Sequence, residues 1–127
     1  MRRMAFSRTA PQILDRSKTV TRRTGWHYLK PGDVIQAVEK SRGLKKGERV
    51  RELAVLRVVN VRVEPLSRLL TDPRYAEDEL PREGFPCWSR DEFVDTFLRT
   101  NRLKSAAVRV TRIEFEHVHR DNLPGRR

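Results

Sequence analysis

The chain is poor in cysteine, in aromatic residues and in long apolar runs, and each shortage narrows what it can be. A single cysteine, Cys87, cannot close an internal disulfide, and no His, Cys or acid around it has metal-ligand spacing. A reducing cytoplasm is the expected setting, and no metal or other cofactor is expected. The longest apolar stretch, Leu53 to Val63, is interrupted by Arg57 and Asn60, far short of the roughly 20 apolar residues of a membrane helix. Met1-Arg2-Arg3-Met4-Ala5-Phe6 is basic but has no apolar segment after it, so it does not read as a secretory leader. No glycine-rich phosphate loop and no Ser/His/Asp arrangement is present.

What the chain has in excess is positive charge. Its 127 residues carry 28 Lys and Arg against 17 Asp and Glu, a net +11, so polyanions are the expected partners. The charge is segregated: residues 1–30 hold eight bases and one acid, and residues 71–95 hold eight acids and three bases. With 37% hydrophobic residues, the length supports one core and one domain over 1–118, followed by a basic flexible tail over 119–127. The domain is read as a monomer.

Local signals place the elements. Ala10 to Arg16 reads as a short helix, with Thr9 as N-cap and Pro11 in the first turn. Lys18 to Arg23 is β-prone, with Thr19, Thr21 and Arg23 on one face. Lys30-Pro31-Gly32-Asp33 is a turn leading into a strand from Val34 to Glu39, and Ser41 to Arg49 an exposed loop. From Arg51 to Glu64 the apolar parity changes near Val58 and Val59, which predicts a bulge. Pro65 to Leu70 reads as one or two helical turns. Residues 71–89, polar, acidic and rich in proline, read as a long functional loop. Ser89 with Glu92 forms a capping box for a helix with a Phe93, Val94, Phe97 and Leu98 core stripe. A last strand spans about Ala106 to Val118. The order strand, helix, several strands, helix, strand predicts an α+β fold whose sheet can close into a barrel.

The run Ile13-Leu14-Asp15-Arg16-Ser17-Lys18-Thr19-Val20-Thr21-Arg22 resembles the opening signature of the ASCH family, and Lys30-Pro31-Gly32-Asp33-Val34 resembles its Pro-Gly-Asp turn. Glu83-Gly84-Phe85 and the helix bearing Phe93 and Phe97 follow in the family's order, so the likeness covers residues 4–118. It implies a PUA-like β-barrel with short helices packed over the barrel openings. It also implies a cleft between the Lys-Thr-x-Thr segment and the Glu-Gly-Phe segment, and RNA or an RNA-derived modified nucleoside as ligand. Some members hydrolyse the amide of N4-acylated cytidine through a Lys, a Thr and a Glu, which fall here on Lys18, Thr21 and Glu83; a ribonuclease activity is associated with others.

In the amidohydrolase reading Thr21 supplies the hydroxyl, Lys18 activates it or polarises the carbonyl, and Glu83 carries a proton. Lys18 and Thr21 have opposite strand parity, so such a site requires Lys18 to sit in the turn before the strand. Arg22 and Arg23 are candidates for phosphate or base contact, and Trp26, Tyr28 and Trp88 for stacking. Each of Trp26 and Tyr28 could equally close the core. A non-catalytic reader of RNA or of a modified base, and a basic adaptor that binds protein, are the competing expectations.

Overall fold

Valine-rich alternation and a break in its phase are what build the centre of this molecule. The computed structural model describes residues 1–40 and 42–123. Strand β4, Glu52–Pro65, lies at the middle of a five-stranded sheet. It pairs antiparallel on one side with β5, Arg109–Val118, and on the other with β3, Val34–Val38. Its register against β5 slips between Val58 and Asn60, leaving Val59 as an extra residue, so the bulge falls where the parity changes. The remaining strands are the edges: β1, Arg2–Ala5, runs parallel to β3, and β2, Val20–Arg23, antiparallel to β5, in the order β1-β3-β4-β5-β2.

Among the described residues, four short helices complete the α+β fold: α1, Ala10–Leu14; α2, Arg68–Thr71; α3, Pro73–Glu83; and α4, Arg90–Thr100. The sheet curls into a half-barrel, with Met4, Phe6, Ile13, Ile35, Leu56 and Ile113 in the core on its concave face. A second cluster of Leu66, Leu69, Leu80, Phe93 and Val110 lies under α2, α3 and α4. At α4 both halves of the capping box form: Ser89 Oγ accepts from the Glu92 N–H at 3.1 Å, and Glu92 Oε1 accepts from the Ser89 N–H at 3.0 Å.

The 71–89 region corrects the sequence expectation, since most of it is helical rather than a loop. Asp72 caps α3 by accepting from the Tyr75 N–H at 3.1 Å, and Pro73 occupies the first turn, where its missing N–H costs nothing. Gly84 ends the helix in the left-handed region at φ 100°. Ala76, Glu79, Leu80 and Glu83 form its buried stripe. Half of that stripe is carboxylate, so the region lacks the apolar periodicity by which a buried helix face is recognised.

At the C-terminal end, Arg120–Asn122 form a turn of 3-10 helix and Arg120 pairs with Glu52. The rest of the expected tail, residues 124–127, lies outside the described residues, as does Ser41 in the expected 41–49 loop. No described helix is long and apolar enough to cross a membrane.

Candidate functional site

The two edge strands do not meet, and the space between them is a cleft of about 430 Å³. The end of β1 and the residues after it (Ala5, Phe6, Ser7, Arg8, Thr9) line one side, and all of β2 past Val20 (Thr21, Arg22, Arg23) lines another. Glu83 and Phe85 at the end of α3, with Trp88 and the Phe93 and Phe97 face of α4, complete it. Its size falls in the roughly 300–1,000 Å³ range of small-molecule sites.

Lys18 is positioned by the turn between α1 and β2. Arg16 takes a left-handed φ of 67°, the Lys18 N–H donates to the Gln12 carbonyl at 3.1 Å, and the Thr19 N–H donates to the Arg82 carbonyl at 2.8 Å. Lys18 therefore precedes the strand proper and escapes its parity. Its Nζ donates to the Glu83 carbonyl at 2.6 Å and to Glu83 Oε1 at 3.1 Å, joining residues 65 apart in sequence. Burial of the ammonium lowers the Lys18 pKa below the ordinary lysine value, and the Glu83 carboxylate opposes that shift without cancelling it. Lys18 reaches the cleft through Glu83 and is not itself among the lining residues.

Arg22 projects from the opposite face of β2 to Thr21 and Arg23, under α3. Its fully buried guanidinium donates to Glu83 Oε2 at 3.0 Å, Glu79 Oε1 at 2.6 Å, Glu64 Oε2 at 3.2 Å and the Tyr75 hydroxyl at 3.0 Å. Burial disfavours this cation, but Glu83 and Glu79 outweigh burial and hold it firmly protonated. Arg112, its neighbour across β5, donates from Nη2 to Glu79 Oε2 at 3.0 Å. Burial would raise the Glu79 pKa, yet Arg112 and Arg22 together pull it down to about 2. Both Nη groups of Arg22 are thus committed to protein carboxylates and Tyr75, while its buried Nε has no partner among the described residues. Glu64, Tyr75, Glu79 and Arg112 were absent from the sequence reading; the four-residue spacing of Glu79 and Glu83 was the available signal for a shared buried face.

Arg23 differs. It is partly buried, donates from Nε to Thr21 Oγ1 at 3.1 Å and lies 4.6 Å from the Phe6 ring centroid. No carboxylate pairs with it among the described residues, and burial, only partly offset by Glu83, brings its pKa down to about 10. Trp88 stacks on Phe85 with centroids 4.4 Å apart, and Phe85, Phe93 and Phe97 continue that wall along the cleft. Sequence reasoning assigned Phe93 and Phe97 to core packing alone, and it placed Phe85 only within the Glu-Gly-Phe segment bordering the expected cleft, without a stacking role.

Trp26 and Tyr28 do not join this site. They stack on each other at 5.8 Å, with Arg2 over the Tyr28 ring at 4.9 Å and Trp26 packed against the first core, and neither lines the cleft. Among the described residues no group of three or more His, Cys, Asp or Glu could hold a metal ion.

Gly84 fixes where Glu83 sits. A Cβ there would lie 3.1 Å from Gln12 Cγ and 3.2 Å from Gln12 Cβ, in a backbone conformation that favours glycine. Gly84→Ala is expected to cost about 1–3 kcal/mol, read as a lowered midpoint in thermal or urea unfolding. An unchanged midpoint would show that the α1–α3 contact yields without strain.

No family model and no curated protein matches the chain. Solved structures share its fold, two of them as follows. One is EF3133 from Enterococcus faecalis V583, labelled family DUF984, at 16% identity over 88% of this chain and 71% of that one, with a TM-score of 0.59. The other is the hypothetical protein PH0355, at 18% identity over 91% of this chain and 97% of that one, with a TM-score of 0.60. At such identities the likeness concerns fold alone, and it establishes a curled, five-stranded α+β domain.

Proposed function

We propose that this chain is an ASCH-type, PUA-like domain that binds cytidine derivatives from RNA and hydrolyses the amide of N4-acylated cytidine. The observation that carries the reading is the hydrogen-bonded pair of Lys18 and Glu83 beside a cleft that Thr21 lines. Amide hydrolysis needs a nucleophile, a base to take its proton and an acid for the departing amine. Lys18, whose neutral form burial favours, accepts the Thr21 proton relayed through Glu83, the residue by which it reaches the cleft, as Thr21 Oγ attacks the acyl carbonyl carbon. The carbon–nitrogen bond then breaks, and the proton returns through Glu83 to the exocyclic nitrogen of cytidine. Water hydrolyses the resulting threonyl ester, releasing the carboxylic acid and restoring Thr21. Trp88 and Phe85 supply a wall on which the pyrimidine stacks.

A second reading, a non-catalytic reader of the same ligands, draws support from the occupied state of both Glu83 oxygens, one on Lys18 and one on Arg22. The experiment is turnover of N4-acetylcytidine by the wild type, Thr21→Ala and Thr21→Ser, with cytidine binding and RNA degradation measured in parallel. Thr21→Ala is expected to lose roughly 10²–10⁴-fold in kcat with cytidine affinity nearly kept, and Thr21→Ser to recover much of it. Wild type that binds cytidine without turning over the acylated form would leave the reader standing; RNA cleavage alone would favour a ribonuclease.

A further inference from the structure

Among the described residues, the cleft holds a partly buried cation, Arg23, that no carboxylate of the protein pairs with. Glu83, the single carboxylate lining the cleft among the described residues, is held on one oxygen by Lys18 and on the other by Arg22, and neither oxygen pairs with Arg23. Arg23 gives only its Nε to a protein acceptor, the Thr21 hydroxyl, and neither Nη group donates to the protein among the described residues. Phe6, also a lining residue, lies against the guanidinium, with its ring centroid 4.6 Å from Arg23 Cζ. Arg8, Ser7 and Thr9 line the cleft beside it, adding a second cation and two hydroxyl groups.

A guanidinium partly withdrawn from water without a counter-charge is costly, and bidentate pairing with an oxyanion is the strongest remedy open to it. Carboxylates and phosphates share that chemistry. The segregated excess of basic residues over 1–30, which includes both Arg8 and Arg23, favours the more highly charged of the two. Resting on the reading that the cleft accepts cytidine derivatives, we propose that Arg23 is a phosphate-binding residue and that the preferred ligand is a nucleotide or an RNA end rather than the free nucleoside.

The test is calorimetric binding of cytidine and of cytidine 5′-monophosphate to the full chain at low salt, with wild type, Arg23→Gln and Arg23→Lys. The monophosphate is expected to bind at least about tenfold tighter than cytidine, and Arg23→Gln to erase that preference while leaving cytidine affinity within about threefold. Arg23→Lys, which keeps the charge and loses the fork, should retain part of it. Inorganic phosphate should displace the monophosphate from wild type at concentrations where acetate does not. Equal affinities of the two ligands for wild type would overturn the assignment. So would a preference that survives in Arg23→Gln, or displacement by acetate as readily as by phosphate. Because these ligands carry no acyl group, failure to hydrolyse acylated cytidine would end the enzyme reading without touching this one, and failure to bind cytidine at all would end the reading on which both rest.

Discussion

Replacing Glu79 by glutamine is expected to remove about 3–5 kcal/mol from the stability of the folded domain. Glu79 is almost wholly buried and is the common partner of Arg22 and Arg112, with Arg82 approaching from the end of α3 at 3.5 Å. Glutamine preserves the shape and removes the charge, leaving two buried guanidinium groups to share Glu64, Glu83 and Glu114. A domain of this kind has only about 5–15 kcal/mol in total, so the variant should unfold at a much lower urea concentration. The effect should depend on pH in one direction. A carboxylate with a folded pKa of about 2 rather than 4.5 contributes stability that is fully present above 4.5 and disappears as pH falls toward 2. The gap between wild type and Glu79→Gln should therefore be widest near neutrality and shrink on acidification through that window. A loss under 1 kcal/mol at pH 7 would mean that the ionic layer between α3 and the sheet is replaceable by neutral hydrogen bonding.

Lys18→Met should separate chemistry from folding. Methionine fills nearly the same volume without a proton to exchange, so turnover of acylated cytidine is expected to fall roughly 10³-fold or more. The fold should suffer less than in Glu79→Gln, since Glu83 keeps Arg22 on its other oxygen and a desolvated ammonium has been removed. The pH–rate profile adds a readout that packing alone would not move. With its pKa lowered by burial, Lys18 gains its neutral form below the pH at which an ordinary lysine does. The wild-type rate should climb with pH and level off above that lowered pKa, and residual activity in the variant should lack this limb. Activity within tenfold of wild type would make Lys18 a structural ion-pair partner and nothing more.

The strands were legible because their signals are local. The parity break at Val58 and Val59 marks a real bulge, and the Pro31-Gly32 turn leads into β3. The bringing together of Lys18 and Glu83 was legible only through resemblance, since no local rule joins residues 65 apart. Helix α3 was misread because Glu79 and Glu83 occupy positions where a buried face ordinarily shows leucine or valine, and because Pro73 and Pro81 read as breakers. The separation of Arg22 from Arg23 lay beyond the sequence for a related reason. Neighbouring residues on a strand face opposite ways, but which face would carry the carboxylates depended on a helix that the pattern concealed.

A sheet that closes fully has no edges, whereas this one keeps two, and free edges invite strands from other molecules to add on. Both edges here are only four residues long, and each carries two consecutive arginines, Arg2-Arg3 on β1 and Arg22-Arg23 on β2. Short edges, one of them bearing the exposed Arg2-Arg3 pair, are poor templates for self-association, so the strands that border the opening are guarded against aggregation. Attempts to make the domain hardier by lengthening β1 or β2 until they join would thus trade solubility risk for loss of the cleft, because the gap between the strands is the cleft itself.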